Sequence, residues 1–471
     1  MDRLEAVELK LSESKYDNNT FRLDSEYFKK EYLLIDNIIE KNKIIKLNLL
    51  SDWITQGSNP RFSEDGIPCL TGRNVKSGIV KYENSDFVNL DEYNLLKRFQ
   101  IKINDILITL KGKGSIGKIG FVTDTKQAIF SRDIGLIRVN NNKTSPILVY
   151  LFLISKYGTK IIEKGETGGT GQSTLTTTYL KNINIPVFSD DFIVNITQLI
   201  DNSNKKLEDS KTLYKQAEAL LLKKLDLIDY NPSGKKVAIK TFTESFGVTG
   251  RLDSEYYQPK FDEIVNKIKT TKYDSLKNIV DINKSVEPGS EAYQDNGIPF
   301  IRVSNLTKFG LSEPDIHLSQ NLFDKETLEK LQPKKDTILL SKDGTVGIAY
   351  NIKEDSNIIT SGAILHLTIK SDKVLPEYLT LVLNSIVVQM QSQRDAGGSI
   401  IKHWKPSEIA EILIPIIDNT IQFQIEEKIK ESFKLQKESQ ELLEVAKRAV
   451  EIAIEKDEEV AIKYIEESKN E

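Results

Sequence analysis

Apolar residues recur along this chain in two rhythms. Short β-type runs, such as "DILITL" from Asp105 and "IGLIRV" from Ile134, are separated by Gly, Asn and Asp turns and predict strands. "PILVYLFLISKYG" from Pro146 predicts a helix. From about Asp191 to Leu227 the rhythm changes. Ile193, Ile196, Ile200, Ser203, Leu207, Ser210, Tyr214, Ala217 and Leu221 recur at steps of three and four, a heptad-like seam. A second long helix is predicted from about Asn419 to Glu459, with Ile421, Ile425, Ile429, Phe433, Leu442, Ala446, Ala449 and Ala453 on one side. At 1.5 Å rise per residue each is roughly 55–60 Å long. No proline interrupts either, and "DYNPSGKK" stops the first.

The pattern occurs twice. "RLDSEY" stands at 22–27 and again at 251–256. At a nearly constant offset "DGIPCLTGRNVKSGI" matches "NGIPFIRVSNLTKFG", and "NDILITLKGKGSIG" matches "DTILLSKDGTVG". "ETGGTGQSTLTTTYLKNINIPV" matches "DAGGSIIKHWKPSEIAEILIPI". The chain is a tandem duplication with a unit of about 230 residues. The expected fold is α+β: two similar mixed α/β lobes separated by two long helices packed as an antiparallel coiled coil, with pseudo-two-fold symmetry. The expected boundaries are lobe one 1–190, long helix 191–229, linker 230–249, lobe two 250–417, and second long helix with acidic tail 418–471.

"LKGKGSIGKIGF" from Leu110 resembles both G-x-G-x-x-G and a Walker loop, which raises a nucleotide-binding enzyme as one hypothesis. A phosphate loop must open a helix, whose N-terminus supplies the donors. The residues after Lys118, "IGFVTD", are strand-like, and Ile119 stands where Walker A needs Ser or Thr. The second copy, "SKDGTVGIAY", loses one glycine and the lysine after Gly347. The shared pattern predicts a β-hairpin or bend that carries Lys111 and Lys342 outward. No methyltransferase loop, G-x-S-x-G elbow or H-E-x-x-H motif occurs. In "RLDSEY" the Asp is placed to cap a helix, the Glu falls in its first turn, and the Arg can pair with either. Arg22, Asp24, Glu26 and Arg251, Asp253, Glu255 are therefore read as structural or partner anchors.

Composition narrows the class. The 471 residues are 39% hydrophobic and 28% charged, with net charge −4. One cysteine and three scattered histidines (His317, His366, His403) offer no disulfide within the chain and no metal-ligand spacing. The charged start and the lack of a ~20-residue apolar run predict no signal peptide, no membrane span and a cytoplasmic location. Charge is segregated. Residues 101–181 hold 12 Lys and Arg against 5 Asp and Glu, whereas 418–471 hold 9 against 15. Basic residues recur at turns with neutral hydrogen-bonding partners, the types that clamp phosphates and read base edges. In lobe one these are Arg73, Asn74, Lys76, Lys111, Lys113, Ser115, Arg132, Gln172, Ser173 and Thr174. In lobe two they are Arg302, Ser304, Asn305, Lys342, Thr345, Ser361, Ser399, Lys402 and His403. The lobes share scaffold residues but differ at these turns, which points to two ligands of one class.

In the order and duplication of these segments the chain resembles the specificity subunits of Type I restriction–modification systems, over about residues 7 to 460. The resemblance implies that each lobe is a target-recognition domain for one half of a split, asymmetric site in double-stranded DNA. It implies that the long helices are spacers that dock two methyltransferase subunits, with motor–nuclease subunits as further partners. It also implies a non-catalytic chain without cofactors: S-adenosylmethionine would sit in the adenine methyltransferase, ATP and Mg in the nuclease. Helices of ~55–60 Å match about 16–17 base pairs. Two alternatives remain: a recognition module of a related phage-defence or modification complex lacking a nuclease, and a coiled-coil scaffold whose lobes bind proteins.

Overall fold

The computed structural model describes residues 7–15, 18, 20–76, 78–112, 114–168, 173–235, 237–398 and 401–468. By internal packing the chain forms two units, Met1–Lys205 with Glu438–Glu471, and Lys206–Lys437. Each unit holds one lobe and a stretch of both long helices.

In the first unit the strand Ile106–Thr109 lies inside a six-stranded sheet, ordered Ser51–Gln56, Ile134–Val139, Ile106–Thr109, Ile119–Phe121, Gly78–Val80, Val75–Lys76. Ile137 pairs with Ile54 on one side and Ile106 on the other. The strand is buried on both faces. Ile106 and Ile108 join a core with Val149 and Phe152 of the helix Pro146–Ile154, while Leu107 joins a second core with Leu70 and Phe130. That is why its sequence is a continuous apolar run and not an alternating one. In the second unit Val280–Lys284, Ile364–Ile369, Ile338–Ser341 and Ala349–Asn351 repeat the order, and Ile338 and Leu340 again face a different core from Leu339. Both copies begin the central strand after a residue in left-handed conformation, Asn104 (φ 69°) and Asp336 (φ 64°), which these short polar side chains tolerate. In each lobe the first and last strands pair, Ile44–Lys46 with Asn184–Pro186 and Tyr273–Ser275 with Leu413–Pro415.

The glycine-rich stretch is the expected hairpin. Ile106–Thr109 pairs antiparallel with Ile119–Phe121, with Leu107 opposite Gly120 and no helix after the turn. Gly117 (φ 74°) and Gly347 (φ 83°) close the two turns by donating to Thr109 O and Ser341 O, each at 2.9 Å. Glycine, with no Cβ, enters that conformation at the least steric cost.

The long helices run Asp190–Lys224 and Asn419–Glu455. In the first unit Ile196, Leu199 and Ile200 pack with Ala446, Ala449, Val450 and Ala453. In the second, Tyr214, Ala217 and Leu221 pack with Ile425 and Ile429. The serines in the seam have a definite role. Ser203 and Ser439 each donate to the other's carbonyl, at 2.7 and 2.8 Å. In the other unit Ser432 donates to Ser210 O at 2.8 Å, with the hydroxyls 3.1 Å apart. A buried hydroxyl needs such a partner, so each pair selects one register of its helix pair.

Three expectations are corrected. "PILVYLFLISKYG" is two helices, Pro146–Ile154 and Lys156–Lys164, broken at Ser155, whose hydroxyl accepts from Gly158 N–H. Asp24 and Asp253 do not cap an α-helix, since the helices begin at Lys30 and Pro259. Asp24 instead accepts Tyr27 N–H (3.2 Å) across a turn. The second long helix ends at Glu455, and the acidic tail forms a separate helix, Glu458–Ser468, with Ala461 and Ile465 fully buried in the first unit.

"RLDSEY" ties a knot in each lobe. Arg22 grips Asp24 with Nε and NH2 (2.7 and 2.6 Å), while NH1 donates to Lys164 O (2.9 Å) and Glu166 O (2.7 Å). Two cations lie over the Tyr27 ring, Arg22 at 5.0 Å and Lys164 at 4.4 Å from its centroid. Arg251 repeats this with Asp253 and Asp395 O, and Arg251 and Arg394 both lie over the Tyr256 ring. The hydrogen bonds from arginine hold the Asp24 and Asp253 carboxyls below the usual carboxylate range. Glu26 and Glu255 remain at the surface.

The end of the second long helix is pinned to lobe one by charge. Glu455 receives Arg448 (2.9 Å), Lys156 (2.6 Å) and the Tyr157 hydroxyl (3.1 Å). Burial pushes its carboxyl up, but these three donors together hold it down at about 2. A folded pKa below the unfolded one gives stability that is present above about 4.5 and lost as pH falls toward 2, on the order of 1 kcal/mol once solvent screening by the half-exposed Lys156 and Arg448 is counted. Glu455→Gln is expected to lower stability at neutral pH and to flatten the acid-unfolding curve of the first unit between those values. Circular dichroism titration, with hydrogen exchange on residues 438–455, measures both.

Candidate nucleic-acid interface

Backbone hydrogen bonds gather the predicted turns of lobe one at one edge of its sheet. Ser131 N donates to Leu70 O (2.8 Å), Leu110 N to Asp133 O (2.8 Å), and Leu175 N to Leu110 O (2.9 Å). The turns carrying Arg73, Lys111, Arg132 and Thr174 are therefore contiguous although they span a hundred residues. Lobe two repeats the stitching. Ser361 N donates to Ile301 O (2.8 Å), Lys342 N to Ala363 O (2.9 Å), and Trp404 N to Lys342 O (2.8 Å). In each lobe the hairpin is thus bonded to the segment that differs most between the copies.

Side chains at this edge differ in availability. Arg132 is exposed and has no side-chain partner among the described residues. Arg73 is half-exposed and pairs with Asp86. Lys111 is half-buried and its backbone bridges to Thr174. Ser115 donates to Gly112 O at 3.1 Å, and Thr174 to Thr167 O at 3.4 Å. Ser173 is half-buried beside them. In lobe two Ser304, Thr345 and Lys402 are exposed, Arg302 is half-buried and Ser361 is buried. Lys113, Gln172 and Ser399, and the side chain of Lys76, lie outside the described residues.

Three expectations change. Asn74 and Asn305 are buried turn pins, not outward contacts. Asn74 Oδ1 accepts Thr71 N–H at 2.9 Å, and its amide donates to Lys81 O (3.0 Å) and Ser85 Oγ (3.0 Å). Asn305 accepts Arg302 N–H (3.0 Å) and donates to Glu313 O (3.3 Å). Lys342 does not project freely as expected, because it pairs with Asp343, whose other oxygen lies 2.8 Å from His403 Nδ1. Asp343 thereby joins the hairpin to the 397–404 segment.

Sequence reasoning missed the turn after the first sheet strand. Gly57 N donates to Ile134 O (3.0 Å), and Ser58 bridges to Ser131. This places Asn59 and Arg61, both exposed, on a turn bonded to the one that carries Arg132. Val286 holds the same position in lobe two, followed by Glu287, whose carboxylate lies 2.8 Å from where a Cβ on Gly362 would stand. Gly362 is the counterpart of Arg132, so the two lobes present opposite charge at equivalent places. "QGSNPR", a Gly-Ser-Asn-Pro cluster ending in Arg, was the available signal.

A cavity of about 440 Å³ beside Tyr27 and a smaller one of about 340 Å³ under the lobe-one hairpin are the concavities of note. The second is lined by Gly114, Gly117, Glu163 and Glu166. Burial and then the nearby Glu163 raise the Glu166 carboxyl. Two carboxylates and no helix N-terminus disfavour a nucleotide phosphate there. Among the described residues no cluster of three or more His, Cys, Asp or Glu could hold a metal, and no helix is long and apolar enough to cross a membrane.

Loss of a buried polar pin and loss of an exposed cation have different consequences. Asn74→Ala and Asn305→Ala each leave several part-buried turn groups without their partner and are expected to destabilise by about 1–3 kcal/mol. Arg132→Ala should stay within about 0.5 kcal/mol of the parent. Urea unfolding monitored by circular dichroism separates the two classes.

A family model described as Type I restriction modification DNA specificity domain matches residues 62–218 and 269–445. Each match covers most of one lobe and much of the long helix after it. The specificity subunit of the Type I restriction enzyme MjaVIII of Methanocaldococcus jannaschii is 28% identical over 201 residues, 40% of this chain and 47% of that protein. The chain thus matches about half the length of that curated relative. Among solved structures, the S subunit of a type I restriction–modification system from M. genitalium is 13% identical, with 88% of this chain and 95% of that one covered at a TM-score of 0.38. The HsdS subunit from Thermoanaerobacter tengcongensis is 12% identical, with 88% and 97% covered at 0.28.

Proposed function

The chain belongs to the family of Type I restriction–modification DNA specificity domains, and from that premise we propose that each lobe reads one half of a bipartite, asymmetric site in double-stranded DNA. The observation that carries this reading is the edge where four turns are held by the same backbone bonds in both lobes while their side chains differ. A common scaffold with divergent tips is what two half-sites of unlike sequence require. Exposed Arg132, with Arg61 and Arg73 on neighbouring turns, supplies lobe one with guanidinium groups suited to phosphates and to guanine edges. Lobe two offers Lys402, Ser304, Thr345 and the Asp343–His403 pair. Carboxylates such as Asp343 and Glu287 suit the cytosine amino group.

In this reading the chain performs no chemistry. The long helices set the spacing between half-sites and dock two adenine methyltransferase subunits, which carry S-adenosylmethionine. A motor–nuclease subunit supplies ATP- and Mg-dependent cleavage where the system includes one. The site of action is the cytoplasm. A recognition module of a modification complex without a nuclease uses the same lobe chemistry.

Co-expression with the adjacent methyltransferase and methylome sequencing of the host DNA test the proposal. The expected result is one bipartite motif with two short specific halves and a fixed gap. Exchange of the segment "TGGTGQST" should alter one half only. Arg132→Ala should weaken DNA binding by about 1–3 kcal/mol if it reads a base, with relaxed preference at one position of that half. If it contacts a phosphate, the loss should be uniform across sequences and the salt slope should fall by about one. No methylation pattern dependent on this chain would refute the reading.

A further inference from the structure

The two lobes differ beneath their hairpins. The helix that follows Ser155 and the helix that follows Ser385 are counterparts, and the pairs Thr167–Thr174 and Gly397–His403 keep the same register. Gln389 therefore stands at the place of Thr159, and Ala396 at the place of Glu166. Gln389 reaches up to the second hairpin and donates to Gly347 O (2.8 Å). Its amide also lies 2.8 Å from where a Cβ on Gly347 would stand, so it fills the space under that turn. Thr159 is too short for this. In lobe one the cavity of about 340 Å³ remains, bounded by Gly114 and Gly117 of the hairpin, Thr159 of the helix, and Glu166 and Ser173 of the late segment.

The chemistry of this cavity is one-sided. Glu163 pairs with Lys160 at 2.7 Å, but the Glu166 carboxylate has no side-chain partner among the described residues. Its backbone is fixed. Glu166 O accepts Arg22 NH1 (2.7 Å), and Glu166 pairs with Leu175, next to the Thr174 that bridges to Lys111. The carboxylate is thus a positioned acceptor at the edge where the turns gather. Burial and then Glu163 raise it. A carboxylate that is poorly hydrated as an anion gains more from an incoming donor than one in open water. It repels phosphates, so the DNA backbone is a poor occupant. Among the bases, cytosine alone shows the major groove a donor with no acceptor beside it. Adenine N6 lies next to N7, and guanine and thymine present O6 with N7 and O4.

We propose that Glu166 is a specificity-determining residue of lobe one, that it accepts the amino group of a cytosine, and that the space left by Thr159 admits this base edge. The proposal rests on the reading of the lobes as DNA readers and deepens it. Lobe two, with Gln389 and Ala396 at these places, has no carboxylate there, so the contact belongs to one half-site only.

The test uses the full chain co-expressed with the adjacent methyltransferase. Methylome sequencing gives the motif, titration of duplexes that differ at one base pair gives affinity, and a melting temperature is taken for every variant. The half read by lobe one should contain a C·G pair. Glu166→Ala should weaken binding to the parental duplex about tenfold and remove the preference at that pair alone. Glu166→Gln should move the preference toward adenine, whose N6 and N7 suit an amide. Thr159→Gln, at an exposed helix position, copies lobe two and leaves the carboxylate in place; it should cause the same loss at the same pair. Melting temperatures should not change. Should a Glu166 variant melt early, Thr159→Gln carries the test. A lobe-one half without a C·G pair, or parental motif and affinity in all three variants, would overturn the assignment and leave the bipartite reading intact. A loss uniform over all sequences would also overturn it, because Glu166 would then support the frame and read no base. A parent chain that directs no methylation pattern would overturn the reading on which the proposal rests.

Discussion

Burial of the central strand on both faces is the constraint on which the rest of each lobe depends. Ile106 and Ile108 serve one core and Leu107 another, and Ile338, Leu340 and Leu339 repeat the division. A strand enclosed in this way has no side chain free for a ligand. Every contact with the outside must come from what the strand ends hold in place. Each hairpin start is bonded to the Ser131 or Ser361 turn on one side and to the late segment on the other. The bonds are backbone to backbone, so they survive almost any change of side chain. Recognition residues can then change while their positions stay the same.

Pins that do use side chains are inside. Asn74 and Asn305 satisfy several backbone groups each, and their geometry leaves no donor for an external ligand. The serine pairs in the helix seams do the same for register. Replacement of one partner alone would bury an unsatisfied hydroxyl or carbonyl.

Much of the fold was legible because periodicity and duplication are local signals. The hairpin at Gly112–Gly117 could be told from a phosphate loop by the strand after it and by the altered second copy, and the pairing of Leu107 with Gly120 agrees. The long helices were legible from their seams. The break at Ser155 was not, because the apolar run continues across it and the cap depends on Gly158, three residues on. Nor could the roles of polar turn residues be separated. Asn74 and Arg73 are adjacent and equally suited to DNA by type, yet one is inside the turn and the other outside it. That difference depends on Lys81, Glu83 and Ser85, which close the turn from the far side of a loop. The cation contacts of Tyr27 were hidden for the same reason, since Lys164 reaches it from the distant helix Lys156–Lys164.

The motif "RLDSEY" shows how a duplicated chain separates internal from external constraints. Residues identical in both copies and buried are explained by packing. Residues different in the two copies at the turn tips, such as exposed Arg132 against Gly362, are free to match different ligands. The lobes thus share a buried and backbone-bonded frame that packing holds constant, and they carry tips that are free to differ.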